Sequence, residues 1–138
     1  MKWLGKLLVF IGSLGTSCSA FAQEQCDPKF GIRLSSTADA PWIVQIQFKP
    51  KDLPLNAPFD ATVAVCSQQK PLPSRITIDA IMPAHKHGMN YEPKIAEIDR
   101  GHYEVKNLVF HMPGIWRFEV TAYENKKPFR FTHDVALP

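Results

Sequence analysis

The sequence predicts an all-β fold, an immunoglobulin-like antiparallel sandwich of about seven strands over residues 42–138. Three observations predict it. Apolar and polar residues alternate with a period of two in run after run. Most of the 12 prolines fall between those runs, as strands require. After the first two dozen residues, no stretch carries a helical period.

The elements follow in chain order. The opening "MKWLGKLLVFIGSLGTSCSAFA" places Lys2 and Lys6 before a short apolar run and ends on Ala20-Phe21-Ala22. That is the pattern of a cleaved secretory signal over residues 1–22, too short for a comfortable bilayer span. Removing it takes away two lysines and no acids, so the formal charge of +3 falls close to neutral. No basic run remains, which argues against nucleic acid as a partner. No further apolar stretch suits stable membrane insertion. Periplasmic or secreted localisation is expected.

Residues 23–41 form a polar N-terminal lead-in. Cys26 lies in it, and Cys66 is then the other cysteine left after cleavage. An even pair in an exported chain reads as one disulfide, tying the lead-in to the sheet. Cys66 would otherwise be available as a thiolate ligand.

The strands follow. "WIVQIQF" puts Trp42, Val44, Ile46 and Phe48 on one side. "FDATVAV" does so with Phe59, Ala61, Val63 and Val65, and "ITIDAIM" with Ile76, Ile78, Ala80 and Met82. "YEVKNLVF" begins with Tyr103 and Val105, then shifts phase to Leu108 and Phe110. "WRFEVTA" gives Trp116, Phe118, Val120 and Ala122, and "FRFTHDVAL" gives Phe129, Phe131, Val135 and Leu137, with His133 on that apolar side.

Two segments carry the chemistry, "MPAHKHGMNYEP" at 82–93 and "FHMPGIW" at 110–116. Antiparallel strands joined by short turns alternate in direction. If residues 76–82 run up, 94–99 run down, 103–110 run up and 115–123 run down, so both segments fall at one end of the sandwich. In an extended stretch His85, His87, Met89 and Tyr91 share a parity, and a His-x-His step separates Cα atoms by about 6.6 Å. Imidazoles joined by thioethers form a mixed N/S ligand set, which suits Cu(I) better than Cu(II), with zinc a further possibility for the imidazoles alone. The candidate metal ligands are His85, His87, Met89, His111 and Met112, with Met82 and His133 in a second rank. Bland roles compete: methionines commonly fill cores, Met82 continues an apolar strand face, and His133 fits a buried, hydrogen-bonded histidine. Tyr91 is expected to pack. His102 follows the opposite turn and is left out. Trp116 is expected to cover the core.

The run "DAIMPAHKHGMNYEP" followed by "GHYEVKNLVFHMPGIWRFEV" resembles the YtkA-like or FixH-like family over residues 59–124. The features that carry it are Met82-Pro83, His87-Gly88-Met89, Gly101-x-Tyr103 and Phe110-x-Met112-x-Gly114-x-Trp116. The resemblance implies an immunoglobulin-like or cupredoxin-like sandwich in an exported or membrane-tethered protein, with some relatives associated with copper handling or cytochrome oxidase assembly. A looser similarity to periplasmic copper chaperones of the PCuAC type implies a His/Met site at one end of the sandwich. The spacing differs here, so that family's ligand order is not carried over.

The functional expectation is an exported copper-binding protein that holds or delivers copper and exchanges it with a donor or acceptor in the cell envelope. The rival is a metal-free interaction module that docks through the same loops. An enzyme is not expected. HExxH, GxSxG and glycine-rich phosphate loops are absent. Ser67 and Ser74 have no evident catalytic neighbours, and Glu92 alternates out of phase with His85 and His87.

Overall fold

The computed structural model describes residues 26–67 and 70–138, so the expected signal segment lies outside the described residues. Seven strands of six or more residues are present among them. They are β3 (Ile43–Lys49), β4 (Pro58–Cys66), β5 (Arg75–Met82), β7 (Lys94–Asp99), β8 (His102–Val109), β9 (Gly114–Glu124) and β10 (Lys127–Leu137). Three two-residue strands join them: β1 (Ile32–Arg33), β2 (Ser35–Ser36) and β6 (His87–Gly88). They form two five-stranded sheets, ordered β1-β3-β4-β8-β7 and β2-β10-β9-β5-β6, with every ladder antiparallel. Lettering the long strands A to G in chain order gives A-B-E-D facing G-F-C, the constant-type immunoglobulin arrangement.

The alternation builds the core. Val44, Ile46, Val63, Val105, Phe118 and Val120 are fully buried, and so are Phe110 and Trp116. Phe48 stands edge-on to Phe118 across the two sheets, 5.6 Å between centroids. The phase shift inside "YEVKNLVF" has a local cause. The β4–β8 register jumps from Phe59↔Leu108 to Ala61↔Val105, which leaves Lys106 and Asn107 as an exposed bulge with Asn107 at φ 63°. A left-handed residue in the bulge lets both apolar pairs face inward; asparagine tolerates that conformation better than most residues.

The lead-in is more structured than its polar composition suggests. β1 pairs with β3 and β2 pairs with β10, so one short segment bridges both sheets, with Leu34 buried between the two contacts. Cys26 and Cys66 form a disulfide with Cα atoms 5.4 Å apart. The buried Gln45 amide adds a second tie, donating to the carbonyls of Asp27 (2.9 Å) and Phe30 (3.0 Å). The strap therefore sits at the end of the sandwich where β3 begins and β4 finishes.

Candidate metal site at the end opposite the disulfide

Each motif is shaped by its backbone. β5 ends at Met82, and the chain turns back through Pro83–Lys86. Both His85 N and Lys86 N donate to Met82 O, at 3.1 and 2.9 Å, and Lys86 takes φ 55°. The "HKH" stretch is thus a tight turn, not the extended segment its spacing predicts. A proline placed just after the strand and a left-handed lysine close a hairpin before alternation resumes. β6 then pairs with β5, with Met82↔His87 and Ile81↔Gly88. Directly opposed residues share a face, so His87 lies on the core-facing side with Met82.

The second motif links the sheets. Phe110 bridges to Leu55, and Asn56 N donates to Phe110 O at 2.8 Å. His111, Met112 and Pro113 then lead into β9. Gly114 takes φ 123°, and a Cβ there would stand 2.5 Å from Met82 Cε. That glycine satisfies two demands, a backbone that side chains resist and room for the Met82 methyl. The indole N–H of Trp116 donates to Met112 O at 2.9 Å and fastens the turn.

The two motifs meet. Ring centroids of His85 and His87 lie 5.8 Å apart, and those of His87 and His111 lie 5.2 Å apart. Trp116, wholly buried, touches both of the latter, at 5.8 Å from His87 and 5.2 Å from His111. His87 Nδ1 lies 3.1 Å from Gly88 O. A carbonyl only accepts, so this bond places the proton on Nδ1 and leaves the Nε2 lone pair available. His111 Nδ1 is buried without a hydrogen-bond partner among the described residues. Such an orphan costs about 1–3 kcal/mol.

The other candidates separate. His85 is exposed at the turn tip. Met82 is 3% exposed and reaches the second motif through Gly114. Met112 packs partly against the core. Met89 continues the hairpin, its N–H donating to Ala80 O at 3.2 Å. It packs partly on the core and lines an open groove of about 700 Å³ with Asp79, Tyr91, Glu92, Ile95 and Arg130. Tyr91 is 61% exposed, so it does not pack as expected; its loop runs outside the sandwich from one sheet to the other. His133 is half-buried rather than buried. It faces Phe118 in the β9–β10 ladder, one same-face step further from the site than the Trp116–Val135 pair. His102 lies at the far end, opposite Ala64 and edge-on to Phe30.

Among the described residues, no three His, Cys, Asp or Glu side chains converge tightly enough to hold one ion as they stand. What the end of the sandwich offers is a pair of imidazoles with thioethers nearby. The 5.2 Å between the His87 and His111 rings is compatible with one ion between them, given metal–nitrogen bonds of about 2 Å. With Cys66 in the disulfide, a thiolate ligand from that residue is ruled out. The contacts of Trp116 with both imidazoles were not foreseen from the sequence, which gives that residue only a core-covering role.

No protein-family model matches the chain, and no curated protein sequence matches it. Among solved structures it is similar to a DUF4426 family protein from Pseudomonas aeruginosa PAO1, with a TM-score of 0.47 and 11% identity, covering 76% of this chain and 96% of that one.

Proposed function

We propose that the protein is an exported copper-binding protein that holds copper between His87 and His111 and passes it to a partner in the cell envelope. The observation that carries this reading is the buried, unpartnered Nδ1 of His111 beside His87, whose Nε2 lone pair is free. A nitrogen left without a proton partner in a packed interior is costly unless something else occupies its lone pair. Met82 and Met112 supply thioethers at the same end, and soft thioether with imidazole favours Cu(I) over Cu(II). His85 stands exposed one turn outside, where it can exchange ligands with a partner. The disulfide agrees with this reading, since it points to an oxidising compartment and hence to the periplasm or exterior. No helix of the described residues is long and apolar enough to cross a membrane.

The residues' chemistry is simple. His87 and His111 bind through neutral nitrogens, so uptake competes with protons and weakens as the solution becomes acidic. Thioethers do not titrate. The test is a Cu(I) titration against a competing chelator, with His85→Ala/His87→Ala and His87→Ala/His111→Ala variants of confirmed fold. Binding at one ion per chain, abolished in both variants, is expected. If the unaltered protein cannot compete with the chelator, the copper reading is wrong. The metal-free docking module then becomes the better reading. Ile115, beside the site and 56% exposed, is the observation that favours it.

A further inference from the structure

Behind the two imidazoles stands a wall of carbon. Trp116 is fully buried, with its ring against both His87 and His111 at interplanar angles of 70° and 73°. Phe110, also fully buried, stacks on Trp116 at 5.0 Å and 25°. The one polar atom of the indole is spent on Met112 O. The side covered by Trp116 and Phe110 therefore contributes no side-chain oxygen ligand, the nearby Gly88 and Met112 carbonyls are engaged by His87 and the indole, and buried aromatic packing leaves little room for water.

We infer that Trp116 is the specificity-determining residue that makes this site select Cu(I) over Cu(II), an inference that rests on the copper reading above. Cu(II) favours tetragonal sets of nitrogen and oxygen ligands, whereas Cu(I) accepts few and soft ones. An indole pressed against both imidazoles denies the inner positions that a tetragonal ion needs to fill with water or backbone oxygen. Stripping water from a divalent ion also costs more than from a monovalent one, because ion desolvation in an apolar surrounding rises steeply with charge. The Nε1–Met112 O bond does a second job, since it holds the His111–Met112 turn where the indole can act.

The experiment compares affinities for Cu(I) and Cu(II) in the intact protein and in Trp116→Phe and Trp116→Leu. Supporting residues around a metal ligand typically change affinity by about 10–100-fold when replaced, and the Cu(I)-to-Cu(II) affinity ratio is expected to fall by that much, more in Trp116→Leu than in Trp116→Phe. A purely structural role would weaken both ions together and leave the ratio unchanged, and that result overturns the inference. A second measurement leaves Trp116 in place. In a Trp42→Phe background, Trp116 is the indole that remains beyond residue 22. Redox-silent Ag(I) is expected to quench its emission in step with binding, and the quenching is expected to vanish in Trp42→Phe/His87→Ala. Ag(I) binding that leaves the emission untouched places the ion away from Trp116 and also overturns the inference. If the protein binds neither Cu(I) nor Ag(I), the copper reading itself fails, an outcome distinct from an unchanged ratio.

Discussion

The two ends of the sandwich solve opposite problems. At the disulfide end, a strap with few apolar residues is held by a covalent bond, a twice-donating glutamine and a pair of two-residue ladders. At the other end, no covalent tie is needed. Aromatic packing around Trp116 and one indole hydrogen bond position two loops that come from different sheets. The first end uses the Gln45 amide nitrogen to hold the chain but leaves Gln45 Oε1 buried without a partner among the described residues. The second leaves His111 Nδ1 buried in the same way, so each end carries a local cost to stability. The contrast teaches that the covalent anchor and the proposed binding site are placed at different ends of one core. Substitutions separate them.

The largest effects test the two ends separately. Trp116→Ala removes the central aromatic of the site end and is expected to cost about 3–5 kcal/mol in denaturant unfolding, from lost burial plus a cavity. Removing the disulfide with Cys26→Ala/Cys66→Ala frees a loop spanning 40 residues of sequence separation. The chain-entropy model puts that loss at about 4 kcal/mol. The comparison adds that Cu(I) affinity of the surviving folded fraction stays unchanged, measured by chelator competition below the unfolding transition. A large drop in affinity would mean that the two ends are coupled.

Next in size is Gly114→Ala. A side chain at φ 123° that also meets the Met82 methyl is expected to cost about 1–3 kcal/mol. Met82→Ala in the same chain should recover part of the steric share, which a double-mutant cycle reads directly.

A smaller effect has the opposite sign. His111→Phe replaces the unpartnered nitrogen with carbon beside Trp116 and Phe110. It is expected to stabilise the metal-free protein by about 1 kcal/mol while abolishing metal uptake, because the orphan no longer has to be desolvated. A thermal scan that shows a loss of stability instead would mean that His111 finds a partner in solution.

The smallest effect lies on the neighbouring strand pair. Arg117 donates to both oxygens of Asp134, at 2.7 and 2.9 Å, and this hydrogen bonding holds the Asp134 carboxyl below its usual pKa. A carboxylate whose pKa is lowered by folding contributes stability that is complete above the unfolded value and is lost as pH falls through the folded one. Asp134→Asn is therefore expected to lower the melting temperature slightly at neutral pH, and not at pH values below the folded pKa of Asp134. The pair is exposed, so screening keeps the effect small, and added salt should shrink it further.

Much of the fold was legible in the chain because a strand buried on one face records its orientation in every second residue. The six alternating runs and the phase shift between Val105 and Leu108 could be read that way. β7, exposed along its whole length, could be placed only by strand direction, and the pairing of Cys26 with Cys66 came from the even cysteine count left after the expected signal. The shared end of the two motifs also followed, from direction alternation alone. Legibility stopped at turns. Parity implied that His85, His87, Met89 and Tyr91 share a face, but hydrogen bonds to Met82 O and a left-handed Lys86 break the period between His85 and His87. The strap was equally hidden, since two-residue strands leave no periodic signal.

The sequence by itself determined that this is an all-β chain with a constant rhythm of short strands, and that histidines and methionines gather in two of its loops. Those properties are local, written in spacings of two to a few residues. Only the tertiary structure decided which of those side chains meet. Distances between residues from different sheets depend on how the sheets pack and on where glycine, proline and bulges bend the chain. That is why His87, His111 and Trp116 form one cluster while Met89 faces a groove and His133 stays a step away along its strand.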